Sequence, residues 1–172
     1  MTSQLQMDRT GSRQATAAGG KYLTFRLAEE EYGLEILKVR EIIGIMDITA
    51  VPQMPAHVKG VINLRGKVIP VVDLRLKFGM EPAEYTDATC IIVVDVGNLI
   101  GIIVDTVQEV LDIEADQIDP PPPLGASVDT TFILGMGKVK DEVKILLDID
   151  RVLNEECTLA TADQESELRI QN

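Results

Sequence analysis

The sequence predicts an all-β fold made of two small β-barrels that share one core. Three observations carry this. Apolar runs of strand length recur in pairs, joined by short connections containing Gly, Pro or acidic residues, a spacing that suits small barrels better than alternating strands and helices. Hydrophobic residues make up 45% of the chain but aromatic ones only 3%, with no Trp, so the core is aliphatic. Ile and Val, prominent within it, favour strands. The third observation is an internal repeat.

Gly33 to Ile43 aligns with Gly101 to Leu111 at an offset of 68, with Gly, Val and Glu identical and the apolar positions largely kept. At the same offset Ile45 meets Ile113 and Pro52 meets Pro120. After a seven-residue insertion the offset is 75: Gly60 meets Gly135, Val68 meets Val143, and Val71-Val72-Asp73-Leu74 meets Leu146-Leu147-Asp148-Ile149. Chance likeness between apolar strands competes with this reading, but order kept across five segments favours two related halves. Each half, at roughly 60 residues, buries too little surface to be stable alone, so the two should pack together.

Taken in order, residues 1–20 form a flexible leader rich in Thr, Ser, Gln, Ala and Gly. Tyr22–Leu27 and Tyr32–Leu37 flank Ala28 to Glu31 as a first hairpin. Val61–Leu64 and Val68–Val72 flank Arg65-Gly66-Lys67 as a second, and Ile91–Val96 and Leu99–Val104 flank Gly97-Asn98 as a third. Phe132–Met136 and Val143–Leu147 make a fourth around a charged connection. Short helices are expected only after Asp73 and Asp148, each a suitable N-cap. The barrels are assigned to 21–79 and 88–153, together one folded unit over 21–153. Residues 154–172, with five acids against Arg169, form an acidic tail.

The chain carries 16 basic and 28 acidic residues, a net charge of −12, which argues against binding nucleic acid or an anionic membrane. The charge is uneven: Lys21 to Lys77 holds nine basic and seven acidic residues, whereas Phe78 to Gly137 holds eleven acidic ones and no Lys or Arg. Solubility accounts for much of the acidity; two faces with different partners is the functional alternative. The leader has no apolar signal region, and no run approaches the roughly 20 residues of a membrane helix. Cys90 and Cys157 fit reduced thiols, so the chain reads as cytoplasmic.

The inventory for catalysis is thin. The lone histidine, His57, has no neighbouring Cys or second His to make a zinc site. Ser127 is the one serine of 21–153, and nothing in the pattern marks a Ser–His–Asp arrangement. Gly19-Gly20-Lys21 lacks the spacing of a phosphate loop, and Gly135-x-Gly137 opens no apolar helix. Pro120 to Pro123 fits a rigid spacer, or a polyproline ligand. No catalytic residue, metal ligand or cofactor is assigned.

What stands out is Asn63-Leu64-Arg65-Gly66, an Arg at a tip between two apolar strands in the basic half. It is either a solvated tip or an interface anchor, a role in which Arg is enriched. If the strand continued through the turn, Arg65 and Lys67 would share a side. Val39-Arg40-Glu41-Ile42-Ile43 is a second candidate, a strand with one face buried and the other free for a partner.

At these residues the sequence resembles the CheW coupling proteins of bacterial chemotaxis, across essentially all of 21–153. Glu31 to Ile43, Gly60 to Gly66, Val68 to Arg75, Gly101 to Val110, Ile118 to Pro121 and Leu146 to Ile149 carry the likeness, in the expected order. The resemblance implies two packed five-stranded SH3-like barrels, with one edge strand able to cross between them. It implies a non-enzymatic adaptor joining the cytoplasmic tips of methyl-accepting chemoreceptors to the regulatory domain of the histidine kinase CheA, recruited to membrane receptor arrays without entering the membrane. Receptor contact is implied for Val39, Gly60 and Arg65, and partner contact or coupling for Glu41, Ile42, Gly44 and Gly101. Gly44, Gly60 and Gly101 have a structural alternative, as turns or close backbone approaches. Kinase contact is implied through the barrel ends. A similar domain excised from CheA or CheV is the alternative within the family, and a small-ligand-binding barrel the alternative outside it. The leader, Met1 and the tail favour a free-standing adaptor.

Overall fold

The computed structural model describes residues 19–122 and 130–154. The leader up to residue 18, the tail from 155, Ser127, Cys157 and Pro123 lie outside the described residues. Among the described residues there are eleven strands: β1 (Gly20–Leu27), β2 (Glu30–Glu35), β3 (Val39–Gly44), β4 (Val58–Leu64), β5 (Lys67–Asp73), β6 (Cys90–Asp95), β7 (Leu99–Val104), β8 (Thr106–Ile113), β9 (Ile118–Asp119), β10 (Ile133–Val139) and β11 (Glu142–Leu147). They form a six-stranded sheet, β8-β1-β2-β11-β10-β9, and a five-stranded sheet, β3-β6-β7-β5-β4. The α-helices among the described residues are α1 (Leu74–Lys77) and α2 (Ile149–Val152). Asp73 caps α1 by accepting from the Arg75 and Leu76 amides, and Asp148 caps α2 by accepting from the Arg151 amide, as the sequence predicts.

All four predicted hairpins form. Their turns use left-handed backbone: Arg65 and Gly66 at φ 52° and 87°, Lys140 and Asp141 at 53° and 66°. Positive φ at both central residues matches the right-handed twist of the flanking strands. The Asn63 Oδ1 fixes the first of these by accepting from the Gly66 amide at 2.8 Å. Because Arg65 is a turn residue, the strand does not continue through it, so the condition under which Arg65 and Lys67 would share a side is not met.

The repeat is real in three dimensions. The β4–β5 ladder shifts register between Val58 and Gly60, setting Gly60 against Val71; the β10–β11 ladder shifts between Ile133 and Gly135, setting Gly135 against Leu146. Every one of these positions differs by the offset of 75.

The sheets, however, do not coincide with the segments 21–79 and 88–153. Hairpin β1–β2 leaves the first segment to lie between β8 and β11, and hairpin β6–β7 leaves the second to lie between β3 and β5. The two crossings are equivalent: β2 runs parallel to β11 with Gly33 opposite Leu146, and β7 parallel to β5 with Gly101 opposite Val71. One residue, Asp105, joins β7 to β8, too few for a hairpin turn, so β8 departs for the other sheet.

This exchange places the core in three parts. Ile62, Ile69, Val71, Ile91, Val93 and Ile103 fill the five-stranded sheet, and Tyr22, Ile113, Ile118 and Leu146 the six-stranded one. Between the sheets lies the largest cluster, drawing Leu23, Phe25, Leu27 and Leu34 from one and Val72, Ile92, Val94 and Ile102 from the other. On β6 successive side chains therefore alternate between two apolar environments, and the strand is buried on both faces. Arg75 clamps the seam: its Nε and a terminal nitrogen donate to Asp105 at 2.8 and 2.6 Å, while Asp105 also accepts from the Ala28 amide in the β1–β2 turn at 2.8 Å.

Candidate docking surface

All seven residues singled out from the sequence fall on the five-stranded sheet. Val39, Glu41, Ile42 and Gly44 lie on β3, Gly60 on β4, Arg65 in the β4–β5 turn and Gly101 on β7. β3 and β4 are the terminal strands of that sheet. Two contacts bring their edges together. Thr49, in the β3–β4 connection, pairs with Val61 through amide–carbonyl bonds of 2.9 Å in both directions. Arg65 reaches Glu41 as a fork, one guanidinium nitrogen donating to Oε2 at 3.0 Å and the other to Oε1. That hydrogen-bonded fork holds the Glu41 carboxyl below its usual range and the Arg65 guanidinium above its own.

Arg65 is thus an exposed residue held by its partner, its side chain 70% accessible, rather than a loose tip. Gly60 and Gly101 are buried and answer to packing. At Gly60, φ is +143° and a Cβ would stand 2.0 Å from the Thr49 carbonyl oxygen. At Gly101 a Cβ would stand 2.8 Å from the Ile91 side chain. Val39 is half-buried against the inter-sheet core. Along β3 exposure alternates, with Arg40, Ile42 and Gly44 outward and Val39, Glu41 and Ile43 more covered. Beside its start is an open groove of about 330 Å³ lined by Arg40, Val68, Pro70, Asp95 and Leu99 among others, with Arg40 ion-paired to Asp95.

The sequence reading found Ile42 but missed other exposed apolar residues. Val68 is 67% exposed and Val143 55%, and they are repeat equivalents at offset 75. Ile42 is 42% exposed and Val110 48%, equivalents at offset 68. The repeat was the signal that could have found them: an apolar residue held outward at both copies of one position is not needed by either core.

Among the described residues no group of three or more His, Cys, Asp or Glu side chains could hold a metal ion, and no helix is long and apolar enough to cross a membrane. His57 lies in the β3–β4 connection, where its carbonyl accepts from the Asp73 amide at 2.8 Å. The five-stranded sheet carries exposed Ile42 and Val68, a forked ion pair and a strand edge, features that suit docking to another protein. A family model for the CheW-like domain matches residues 21–157. A chemotaxis protein CheW of Klebsiella aerogenes is 40% identical over 139 residues, covering 80% of this chain and 84% of that one. Another, from Rhizobium meliloti, is 34% identical over 146 residues, 84% and 94% of the two chains. The crystal structure of the scaffolding protein TtCheW from Thermoanaerobacter tengcongensis superposes with a TM-score of 0.73 at 40% identity, covering 78% of this chain and 92% of that one. The chain belongs to the CheW-like family of chemotaxis coupling proteins. Nothing in these comparisons supports an excised domain of CheA or CheV, or a ligand-binding barrel.

Proposed function

We propose that this chain joins the cytoplasmic tips of methyl-accepting chemoreceptors to the regulatory domain of the histidine kinase CheA, with no catalysis of its own, and is thereby recruited to receptor arrays. The observation that carries the receptor side is the convergence of Val39, Glu41, Ile42 and Arg65 on the closing edge of the five-stranded sheet. Gly60 serves that edge from within, giving room to the Thr49 carbonyl, and Gly101 serves it by letting β6 and β7 pack closely. The kinase side is assigned to the sheet ends away from this edge.

Arg65 tests the reading. On docking, its alkyl stem would cover apolar surface while its guanidinium, already oriented by Glu41, offers its remaining donors to the partner. Arg65→Ala should weaken binding to a receptor signalling fragment roughly 30-fold. Arg65→Glu should be worse, because it also sets two carboxylates against each other at Glu41. Melting temperatures should fall only slightly, since an exposed ion pair is worth little, and CheA-domain affinity should hold for both. Titration of both variants against both partners is decisive: unchanged receptor affinity with intact folding would leave Arg65 only its role in closing the sheet.

A further inference from the structure

Strands β5 and β7 run parallel but pair only from Val71 and Gly101 onward. Lys67 to Pro70 and Leu99 to Ile100 lie ahead of the paired stretch, and Pro70 has no amide to donate. The seam between the two strands therefore opens, at that end of the sheet, into the groove of about 330 Å³. In the six-stranded sheet the equivalent seam, between β2 and β11, is bridged by Glu31 and Lys144. Their counterparts Leu99 and Ile69 are aliphatic and give no such bridge, and Val68 beside them is 67% exposed. The groove is an apolar slot. Its volume is at the low end of the roughly 300–1,000 Å³ of ligand-sized clefts, which suits a short segment of chain.

Cations stand at its rim. Lys67 has no ion pair among the described residues, and the side chain of Arg40 is 60% exposed. Asp95, the one acid of the lining, already accepts from the Arg40 guanidinium and the Gly97 amide. In a chain of net charge −12, such a slot selects an occupant that is acidic and apolar by turns.

The chain itself supplies one. Helix α2 is moored beside the groove, because Asp150 meets Lys38, two residues before Arg40, at 2.7 Å. The Asp95 carboxyl, held low first by the Gly97 amide and then by Arg40, feels Lys38 as well. Residues 155–172 follow within a few residues of this ion pair and carry five acids against Arg169. Among them Leu168 and Ile170 have strand spacing, so an extended Glu165–Ile170 puts both on one face and Glu165 and Glu167 on the other. Glu165 is eleven residues past Asn154. That length spans up to roughly 35 Å, more than twice the ~14 Å radius of gyration of a domain this size.

We propose that Glu165–Ile170 of this chain docks in the groove between β5 and β7 as an extended segment. Leu168 and Ile170 cover Val68 and Leu99, while Glu165 and Glu167 meet Arg40 and Lys67 at the rim. The tether makes the contact intramolecular, at an effective concentration in the millimolar range, so a weak contact suffices to keep the slot covered. The segment thereby shields an apolar seam that would otherwise face a second copy of the chain. This contact is internal and stands apart from the receptor reading.

Backbone amide resonances of the full chain test it. Leu168→Ser combined with Ile170→Ser should shift the Val68, Ile69 and Leu99 amides and leave the melting temperature level. Lys67→Glu should shift the amides of residues 165–170, and adding Glu167→Lys should return them to their parent positions. A synthetic peptide of residues 155–172, added to the Leu168→Ser, Ile170→Ser chain, should restore the groove resonances. Lys67→Glu in that chain should weaken the peptide about two- to fivefold, the range of an exposed ion pair. Groove amides that ignore both the double substitution and the peptide overturn the proposal. A charge swap that fails to restore residues 165–170 overturns the docking mode stated here. Groove shifts that track protein concentration would give the slot to a second copy, and a lowered melting temperature in the Leu168→Ser, Ile170→Ser chain would make the segment part of the folded core; either result overturns the proposal.

Discussion

Asp105 is where a single ionisable side chain bears on the whole assembly. It accepts from Arg75 in the five-stranded sheet's helical corner and from Ala28 in the other sheet's hairpin turn. The hydrogen bond from Arg75 is the main reason its carboxyl is held below the usual Asp range, with the Ala28 amide adding to the effect against partial burial. A depressed carboxyl stabilises the fold at pH values above the unfolded group's value, about 3.9, and that contribution fades as pH falls through the lower folded value. Asp105→Asn should therefore cost about 1–2 kcal/mol at neutral pH, the modest figure reflecting its partial exposure. Urea unfolding of parent and variant at pH 7 and again near pH 3 checks this: the gap should narrow in acid, and a gap independent of pH would show that shape rather than charge matters. None of this was legible beforehand. Arg75 and Asp105 are 30 residues apart, and a distant ion pair leaves no trace in local pattern. The Arg65–Glu41 fork is the instructive contrast, since both residues were picked out individually but their pairing followed only from closure of β3 against β4.

Hairpins were the most legible elements, because a two-sided apolar run and a turn with Gly, Asn or Asp each announce themselves in four to six residues. The caps on α1 and α2 were legible for the same reason. Strand β8 was harder to see as a separate element: its exposed Gln108, Glu109 and Val110 break the alternation where a β-bulge sets an extra residue on β8 opposite Leu23 to Phe25. The β3–β4 connection shows how an element can depend on one glycine. Thr49 bonds Val61 only because Gly60 beside it has no Cβ, and Gly60 also holds a φ that other residues rarely adopt. Gly60→Ala should destabilise by about 2 kcal/mol or more. Amide exchange should rise first at Thr49 and Val61, and receptor affinity should fall with it, CheA affinity less. Protection unchanged at both amides would show that the connection tolerates a Cβ by moving as a whole.

At the scale of the molecule, the question the repeat raises is why each hairpin takes the seat it does. The two seats are built from equivalent strands with equivalent register, so patterning alone let each half close on itself, as the sequence reading assumed. The side chains at one pair of equivalent positions differ. In the six-stranded sheet Glu31 of β2 pairs with Lys144 of β11, a lysine only 6% exposed, with Arg26 and Glu142 completing the cluster at 2.9 and 3.1 Å. At offsets 68 and 75 the corresponding residues in the five-stranded sheet are Leu99 and Ile69, both in that sheet's apolar cluster. Closing the first half on itself would bring Glu31 toward Ile69, burying a carboxylate without Lys144; the second half would bring Leu99 toward Lys144. Either error leaves a charge unpaired in an apolar setting, which is costly, whereas a correctly matched pair breaks roughly even with an apolar one. The ion pair thus acts as a key to hairpin choice, its value lying in the arrangements it forbids. Lys144→Ile alone should cost about 2–4 kcal/mol, Arg26 retaining part of the compensation for Glu31. The double variant Glu31→Leu, Lys144→Ile should recover most of that stability, since the seat then copies its counterpart. With the key gone, refolding of the double variant should become heterogeneous, with a slow phase as misplaced hairpins exchange. Single-phase refolding of the double variant at the parent's rate would show that the connections alone, above all the single residue between β7 and β8, decide which hairpin goes where.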